Sequence, residues 1–336
     1  MNRRGFIRLL AGVGVAVASG NLLGRGVLFQ DTLPKPVVTL TRPMMGTSVS
    51  ISVLGFDRLS TSVAAETALA EMEQLEKTLS RYRSDSPLSK LNRDGRLLEA
   101  PPELVNVLGR ARFFSDLSGG AFDVTVKPIV DLISRGFAMS QHPPSGSEIA
   151  SVLQEVDYQG IEFVGSTIQL RQGMGVTLDG IAKGYIVDRA IEALKKQGYE
   201  HAYVGACGDI RTIGGNDQGK GWRIGIRDPL GRQDLIRIMQ VTDRAVSTSG
   251  DYEIFFDRDK KYFHIVNPKN GRSPQEVHSV TIVAENAIDA DAMATTVMVL
   301  GPQQGLNLVE KIEGAECFLV LRDGSTVESS GMRKFW

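Results

Sequence analysis

The chain has 336 residues, of which 42% are hydrophobic and 23% charged, and its formal net charge is −1. This length is enough for one large domain or two smaller ones, and the composition is that of an ordinary globular protein. No basic block stands out after the first few residues, so we expect no nucleic-acid partner. The two cysteines, Cys207 and Cys317, are too few for a disulfide framework, and the sequence does not decide whether they form a single bridge.

The first 30 residues have the pattern of an export signal. Arg3 and Arg4 stand side by side before an apolar run broken by glycines, as in signals of the twin-arginine type. The run is too short to predict a membrane span, so we expect no stable span after cleavage, and an uncleaved anchor is the alternative. Removal of residues 1–30 takes away four arginines and no acids, which lowers the formal net charge to about −5. We predict a signal over 1–30, a mature domain over 31–336 and a periplasmic location.

Hydrophobic patterns divide the mature part into helices and short strands. The helices have apolar residues three or four apart and stop at glycines, whereas the strands alternate between glycine, proline and asparagine turns. The predicted helices cover residues 60–81, 101–120, about 182–197 and 287–301, with one more helix after them. The predicted strands cover residues 47–53, 161–164, 167–170, 201–204, 222–227, 235–241, 262–266, 279–283 and about 317–321. Because helices interrupt mostly antiparallel strands, we predict an α+β fold.

Several common catalytic motifs are missing from the sequence. It contains no GxxxxGK[ST], GxGxxG, HExxH, GxSxG or CxxC. Its four histidines are scattered, which argues against a histidine-rich zinc site. If a metal is bound, oxygen ligands and hence Mg²⁺ or Ca²⁺ are the natural expectation.

The stretch AIDADAMATTVMVLG (residues 287–301) carries two acids at the start of a predicted helix. Acids in a first turn complement the helix dipole, which explains Asp289 and Asp291 without any ligand. Asp291 and Thr295 are four residues apart, however, so their side chains project from the same face and could hold a hard cation. The residues alone do not decide between a helix cap and a metal site.

Four further features have a functional and a structural explanation each. Residues 176–190 predict a strand, a tight turn at Gly180 and a helix whose first turn holds Lys183, which is either a phosphate seat or a plain connection. Residues 245–252 offer three hydroxyls beside a glycine, for phosphate oxygens or for a polar turn. Asp123 follows a double glycine among apolar residues, where a backbone cap is more common than a catalyst. His264 is predicted within a strand, where an isolated histidine is usually structural.

Taken together, eight segments resemble the ApbE family of FAD:protein FMN transferases. They are RPMMGTSVS, SRYRSDSPLSKLN, GGAFDVTVKP, LDGIAKGYIVDRA, GDIRTIGG, STSGDYEIFF, HIVNPKNGRSP and DADAMATTVMVLG, in the family's order. The match covers almost all of the mature chain, and eight collinear motifs are a specific signal. The resemblance implies an α+β fold related to the T-fold, with mixed, mostly antiparallel sheets packed against helices.

The resemblance also implies a reaction. The family transfers FMN from FAD, the substrate, to a Thr or Ser hydroxyl of a target protein, forms a phosphoester and releases AMP, with Mg²⁺ as cofactor. The expected partner is an extracytoplasmic flavoprotein with a Ser/Thr-Gly-Ala-Ser/Thr-like acceptor motif, which fits an export signal. Two other functions stay open: an FAD pyrophosphatase that gives FMN and AMP, and a flavin-binding carrier or assembly factor without turnover.

The resemblance assigns roles residue by residue. His264 is implied as the general base toward the acceptor hydroxyl, and Mg²⁺ would be held by Asp291, Thr295 and the backbone carbonyl of Gly180, which leaves Asp289 as the helix cap. The implied FAD site consists of Met45 beside the flavin, Tyr82 against the isoalloxazine ring, Ala121, Phe122, Asp123, Lys183 near the phosphates, Ser247, Thr248, Ser249 and Ile265.

Two positions depart from the family's pattern. The family's flavin-binding Asp is Thr177 here, and we expect Asp179 to take over part of its work. Cys207 precedes Gly208 where the family often has two glycines. The altered turn resembles the subgroup attached to nitrous-oxide-reduction operons, which tends to carry twin-arginine signals. The same turn is the feature that keeps the carrier function open.

Overall fold

Residues 36–336 are those that the computed structural model describes, and within them the chain forms three β-sheets and seven α-helices. The strands are β1 (Val37–Met44), β2 (Thr47–Leu54), β3 (Arg96–Leu97), β4 (Ile161–Val164), β5 (Thr167–Leu170), β6 (Ala202–Ala206), β7 (Asp209–Ile213), β8 (Trp222–Arg227), β9 (Leu235–Val241), β10 (Ala245–Gly250), β11 (Val277–Ala284), β12 (Glu316–Leu321) and β13 (Thr326–Glu328). The helices are α1 (Arg58–Leu79), α2 (Pro87–Asp94), α3 (Pro102–Leu117), α4 (Lys127–Ser140), α5 (Gly146–Leu153), α6 (Ala182–Lys196) and α7 (Ala287–Val309).

The predicted export signal lies outside the described residues, so the division at residue 30 stays a prediction. The described residues belong to one compact unit. None of their helices is both long enough and apolar enough to cross a membrane.

The main sheet has eight strands in the order β1-β2-β6-β7-β10-β11-β12-β13, and every neighbouring pair is antiparallel. Helices α1, α6 and α7 pack on one face of this sheet and enclose the largest core cluster. A second cluster covers the other face with β8, β9 and the C-terminal segment. β11 is therefore buried at all eight positions, because both of its faces are covered. The predicted α+β fold is confirmed.

The prediction of a strand over residues 262–266 is wrong. In this segment the structure has only an isolated antiparallel bridge between Phe255 and Phe263. His264 therefore lies in a loop. The alternation of side chains was real, but the facing segment is too short to form a ladder. The expected strand before Gly180 is also absent, since residues 175–178 run as irregular chain outside the sheets.

The structure also contains helices that the sequence patterns did not predict. Three helices were missed: α2, α4 and α5. Both α2 and α5 have only eight residues and begin at a serine cap, Ser86 and Ser145. The predicted end at Gly301, with one more helix after it, is confirmed: Gly301 adopts the non-helical angles φ 77° and ψ 177°, so α7 consists of two helical segments that meet there. Residues 245–250 form β10, so the alternative of a polar turn is wrong, and their contact with phosphate stays a prediction.

Candidate active site

Helices α6 and α7 meet at a glycine, and this contact positions the predicted metal ligands. A Cβ on Gly184 would lie 2.2 Å from the carbonyl oxygen of Ala287 and 2.9 Å from the Cβ of Asp291, so only glycine permits this approach. The backbone N–H of Gly184 donates to Oδ2 of Asp291 at 3.1 Å. Gly180 lies against the next turn of α7, since a Cβ there would come within 2.7 Å of Oγ1 of Thr295. The structure thus brings Gly180, Asp291 and Thr295 together.

The start of α7 is capped by residues other than the one predicted. Asn286 is the N-cap, and its side chain accepts a hydrogen bond from the N–H of Asp289 at 2.9 Å. Asp188 on α6 accepts from the first two backbone N–H groups of α7 at 2.8 and 2.9 Å. The side chain of Asp289 forms instead a two-pronged salt bridge with Arg110 of α3, at 2.6 Å for both bonds. The prediction that Asp289 caps α7 is therefore wrong, because Asn286 and Asp188 already satisfy the free N–H groups.

Asp291 is a buried carboxylate in an unfavourable electrostatic environment. Its relative exposure is 3%. Burial, and next the charge of Asp209, raise the pKa of Asp291 to about 8, against the effect of Lys183. A divalent cation beside these carboxylates would relieve the repulsion, and a carboxylate, a hydroxyl and a backbone carbonyl are ligands that Mg²⁺ accepts. The residues present fit the metal. The proposed ligand set contains a single carboxylate, and the described residues 36–336 include no cluster of three or more His, Cys, Asp or Glu side chains placed to hold a metal ion.

Lys183 and Asp209 form an ion pair at the N-terminus of α6. Asp209 follows the turn between β6 and β7, is 1% exposed, and also accepts a hydrogen bond from Oγ of Ser247 at 2.5 Å. Although burial opposes it, the Asp209 carboxylate, followed by Asp291, raises the pKa of Lys183 above its usual value. The ion pair fixes the ammonium group in place, and the side chain of Lys183 keeps 33% of its surface exposed. The sequence reasoning missed Asp209, although it lies within the GDIRTIGG motif.

The three hydroxyls of β10 do not share a face. Ser247 contacts Asp209, and Oγ of Ser249 lies 3.4 Å from Oγ1 of Thr295 on α7. The side chain of Thr248 points to the opposite face of the sheet, where its Oγ1 pairs with that of Thr281 at 2.9 Å. The structure therefore brings two of the three predicted hydroxyls to the site and turns Thr248 away from it.

Tyr82 is held at the surface by a partly buried arginine. The Arg81 guanidinium donates to Oδ2 of Asp179 at 2.7 Å and to the Tyr82 hydroxyl at 2.9 Å, and the Tyr82 hydroxyl lies 3.1 Å from the same Asp179 oxygen. The Tyr82 residue is nevertheless 70% exposed, so its ring stands in a fixed position facing solvent. Burial of the hydroxyl and the charge of Asp179 raise the pKa of Tyr82 to about 12, which keeps the phenol protonated. Arg81 was also missed from the sequence, because its partner lies 98 residues away.

The departures at the turn before α6 have a structural explanation. Oγ1 of Thr177 accepts from the backbone N–H of Asp179 at 3.3 Å, and Thr177 is 9% exposed. Thr177 thus stabilises the turn. Asp179 holds Arg81 and Tyr82 in position, and the contact of Thr177 and Asp179 with FAD stays a prediction.

Residues 121–123 lie largely in the interior. Oδ1 of Asp123 accepts from the backbone N–H and the hydroxyl of Thr125 at 2.7 and 2.6 Å, and Oδ2 accepts from the N–H of Tyr158 at 3.1 Å. Asp123 thus caps the 3₁₀ turn that follows it, and burial raises its pKa. Ala121 and Phe122 are each 4% exposed. Their contact with FAD stays a prediction, as does that of Met45, which forms the β1–β2 turn with φ 53°.

His264 is oriented by one carbonyl. The oxygen of Ile254 lies 3.0 Å from the backbone N and 3.1 Å from Nδ1 of His264. Because a carbonyl only accepts, Nδ1 carries the proton and Nε2 keeps its lone pair. Burial lowers the pKa of His264, although the hydrogen bond to the Ile254 carbonyl opposes this. The charge of Asp179 also raises the pKa of the ring, and the charge of Lys183 lowers it. A neutral imidazole with a free Nε2 is suited to act as a general base. The neighbouring Ile265 is buried in the main core.

The two cysteines are both free thiols. Cys317 is fully buried on β12, whereas Cys207 is exposed at the turn before Asp209. Cys207 has φ 42°, and its Sγ lies 3.8 Å from Oε2 of Glu253. Burial of the sulfur raises the pKa of Cys207, so the group is a thiol and not a thiolate at neutral pH.

The chain resembles known proteins over most of its length. The model of the ApbE family matches residues 45–319, so the chain belongs to this family. The FAD:protein FMN transferase of Vibrio cholerae is 31% identical over 314 residues, which cover 90% of this chain and 93% of that protein. The protein of the same name from Treponema pallidum is 33% identical over 290 residues, or 80% of each chain.

Solved structures agree with this assignment. The ApbE protein of Thermotoga maritima matches with a TM-score of 0.82 and 32% identity, over 89% of this chain and 99% of that one. The flavin transferase ApbE of Vibrio cholerae matches with a TM-score of 0.79 and 30% identity, over 90% and 100%. The family and the fold inferred from the eight motifs are confirmed.

Proposed function

We propose that the chain is an FAD:protein FMN transferase, which moves FMN from FAD to a Thr or Ser hydroxyl of a target protein and releases AMP. Support comes from the relatives that bear this name and match over most of their length. The observation that carries the proposal is the contact of α6 with α7. It places a buried carboxylate and a hydroxyl next to a helix N-terminus with a lysine, which is an arrangement for a metal-bound diphosphate.

The proposed chemical step is a displacement at phosphorus. Nε2 of His264 accepts the proton of the acceptor hydroxyl, whose oxygen attacks the phosphorus of the FMN half of FAD. A bond forms between this oxygen and phosphorus, and the bond from phosphorus to the bridging oxygen breaks. AMP leaves with that electron pair. The free Nε2 of His264 and the lowered pKa of the ring support this role, since the base has to be neutral before it accepts the proton.

The phosphates are the proposed ligands of Lys183 and the N-terminus of α6. Asp209 fixes the ammonium group, and the positive end of the α6 dipole adds to the attraction for phosphates. Asp291, Thr295 and the carbonyl of Gly180 would hold Mg²⁺, which when bound supplies neutralisation of charge on the diphosphate. Tyr82 offers its fixed, exposed ring to the flavin.

The location and the acceptor belong to the same proposal. The paired Arg3 and Arg4 before an apolar run support export through the twin-arginine route to the periplasm, where an acceptor flavoprotein with a Ser/Thr-Gly-Ala-Ser/Thr-like motif would be met. Cell fractionation tests this: we expect the protein in the periplasmic fraction, and a variant with lysine at both positions in the cytoplasm. Periplasmic recovery of that variant would contradict the route.

The function is tested with purified protein, FAD and a soluble carrier protein that displays a Ser-Gly-Ala-Thr segment. We expect release of AMP and a covalent FMN adduct of the carrier with Mg²⁺ present, and neither without it. Asp291→Ala should lower the rate by about 100-fold or more, since one electrostatic contact at a reacting phosphate contributes this much. Free FMN without adduct would indicate FAD hydrolysis, and retained FAD without AMP would indicate a carrier.

A further inference from the structure

A short antiparallel arm, residues 254–264, carries His264 at one end. Two backbone hydrogen bonds, of 2.8 and 3.0 Å, flank the antiparallel bridge between Phe255 and Phe263. The second of them runs from the N–H of His264 to the carbonyl of Ile254. These bonds fix the register of the arm, with Ile254 directly opposite His264.

The register decides which side chains neighbour the candidate base. Residues opposite one another in an antiparallel pair lie on the same face, with their Cβ atoms about 4.5–5.5 Å apart. Ile254 therefore shares a face with His264, and Phe255 lies on the other face. Both are exposed apolar side chains, at 51% for Ile254 and 47% for Phe255. The arm thus presents two similar side chains, of which Ile254 alone adjoins His264.

The arm is anchored around a buried carboxylate. The Asp251 side chain, which precedes the arm, is fully buried and pairs with Nδ1 of His278 at 2.6 Å. It also lies 3.3 Å from Nη2 of Arg322 and 3.7 Å from Nζ of Lys260, a residue of the arm's turn. Arg322 donates in addition to the carbonyl of Lys260 at 2.9 Å. The start of the arm and its turn are thus held together, and the backbone that carries Ile254 is fixed.

We propose that the face of the arm with Ile254 and His264 receives the acceptor segment of the target protein, and that Ile254 contacts an apolar side chain beside the reactive hydroxyl. This inference rests on the proposed function. A hydroxyl that gives its proton to Nε2 of His264 has to come within about 3.2 Å of it. The polypeptide that carries the hydroxyl then has to cross the neighbouring side chain on the same face. An exposed isoleucine fits an apolar neighbour in that segment, and burying it favours binding.

The test compares variants of the two exposed side chains in the complete protein. The carrier protein with the Ser-Gly-Ala-Thr segment is the acceptor, its concentration is varied at saturating FAD and Mg²⁺, and FAD affinity is measured separately by flavin fluorescence. We expect Ile254→Ser to raise the KM for the carrier about tenfold, while FAD affinity stays within twofold. Ile254→Leu should restore the KM, and Phe255→Ser, on the opposite face, should leave it unchanged.

The outcomes separate this inference from the function on which it rests. If the unmodified protein attaches no flavin to any carrier, both are overturned. If it does so and Ile254→Ser leaves the KM for the carrier within twofold, the inference alone is overturned. A weakened FAD affinity in Ile254→Ser would also overturn it, because Ile254 would then contact the flavin nucleotide and not the acceptor.

Discussion

Replacing Gly184 by alanine is the most direct perturbation of the contact between α6 and α7. The added Cβ would lie 2.2 Å from the carbonyl oxygen of Ala287, 2.6 Å from its carbonyl carbon and 2.9 Å from the Cβ of Asp291. Ordinary contacts of a Cβ begin at about 3.4 Å. Two of these three atoms are backbone, so no side-chain rotation relieves the clash. The helices have to separate by roughly 1 Å, and Asp291 moves with α7.

The size of the effect follows from this displacement. Overpacking of a tight interior contact costs about 1–3 kcal/mol, which for a chain of this length corresponds to a fall in Tm of roughly 2–5 °C. A catalytic group misplaced by about 1 Å costs on the order of 100-fold in rate. We therefore expect Gly184→Ala to be folded and slightly less stable, to lose most of its transfer activity, and to need more Mg²⁺ for half-maximal rate.

Gly109→Ala provides the matched control. Gly109 lies within α3, and a Cβ there would meet nothing within 4 Å. Alanine should stabilise that helix by about 0.5–1 kcal/mol and leave the Mg²⁺ dependence unchanged. The assay is thermal unfolding together with AMP release over a Mg²⁺ titration, for both variants. A Gly184→Ala protein with the Tm and the Mg²⁺ dependence of the unmodified protein would contradict this role of the contact.

Three further predictions concern Asp188 at the start of α7, the proposed base His264, and Tyr82, whose ring is proposed to contact the flavin. Asp188→Ala should lower the free energy of unfolding by about 1–2 kcal/mol, because two N–H groups of α7 lose their acceptor; thermal unfolding that matches the unmodified protein would contradict this. His264→Gln should slow transfer by about 100-fold or more with FAD binding intact. In the unmodified protein, protonation of His264 should reduce the rate only below the usual histidine pKa of 6.5, since burial lowers it, and a loss that begins above pH 6.5 would argue against His264 as base. Tyr82→Phe should weaken FAD binding, measured by fluorescence, much less than Tyr82→Ala, because the ring provides the contact and the hydroxyl only orients it; equal losses would assign the contact to the hydroxyl.

Local patterns were sufficient where a segment's environment is regular. Strands β8 and β9 occupy the predicted residues, 222–227 and 235–241, because each alternates between a buried and an exposed face. The spacing of Asp291 and Thr295 on one face of a helix was also readable, and the structure places both beside Gly180. In these cases the information lies within a few residues of the feature.

The misplaced features depend on partners far away in the chain. Asp289 was assigned as a cap from its position alone, but Arg110, which is 179 residues distant, takes its carboxylate. Asp209 looked like one residue of a motif, and its link to Lys183 appears only when β7 and α6 come together. Hydrophobic alternation around His264 predicted a strand, since nothing in those residues shows that the facing segment offers only one bridge.

In the proposed reaction FMN is transferred to a protein hydroxyl and AMP is the leaving group. The most direct measurement follows AMP and covalently bound flavin in the same reaction mixture, with FAD, Mg²⁺ and the Ser-Gly-Ala-Thr carrier. We expect one AMP for each flavin attached, from the first time point to the last. AMP that accumulates together with free FMN, while the carrier stays unmodified, would contradict it.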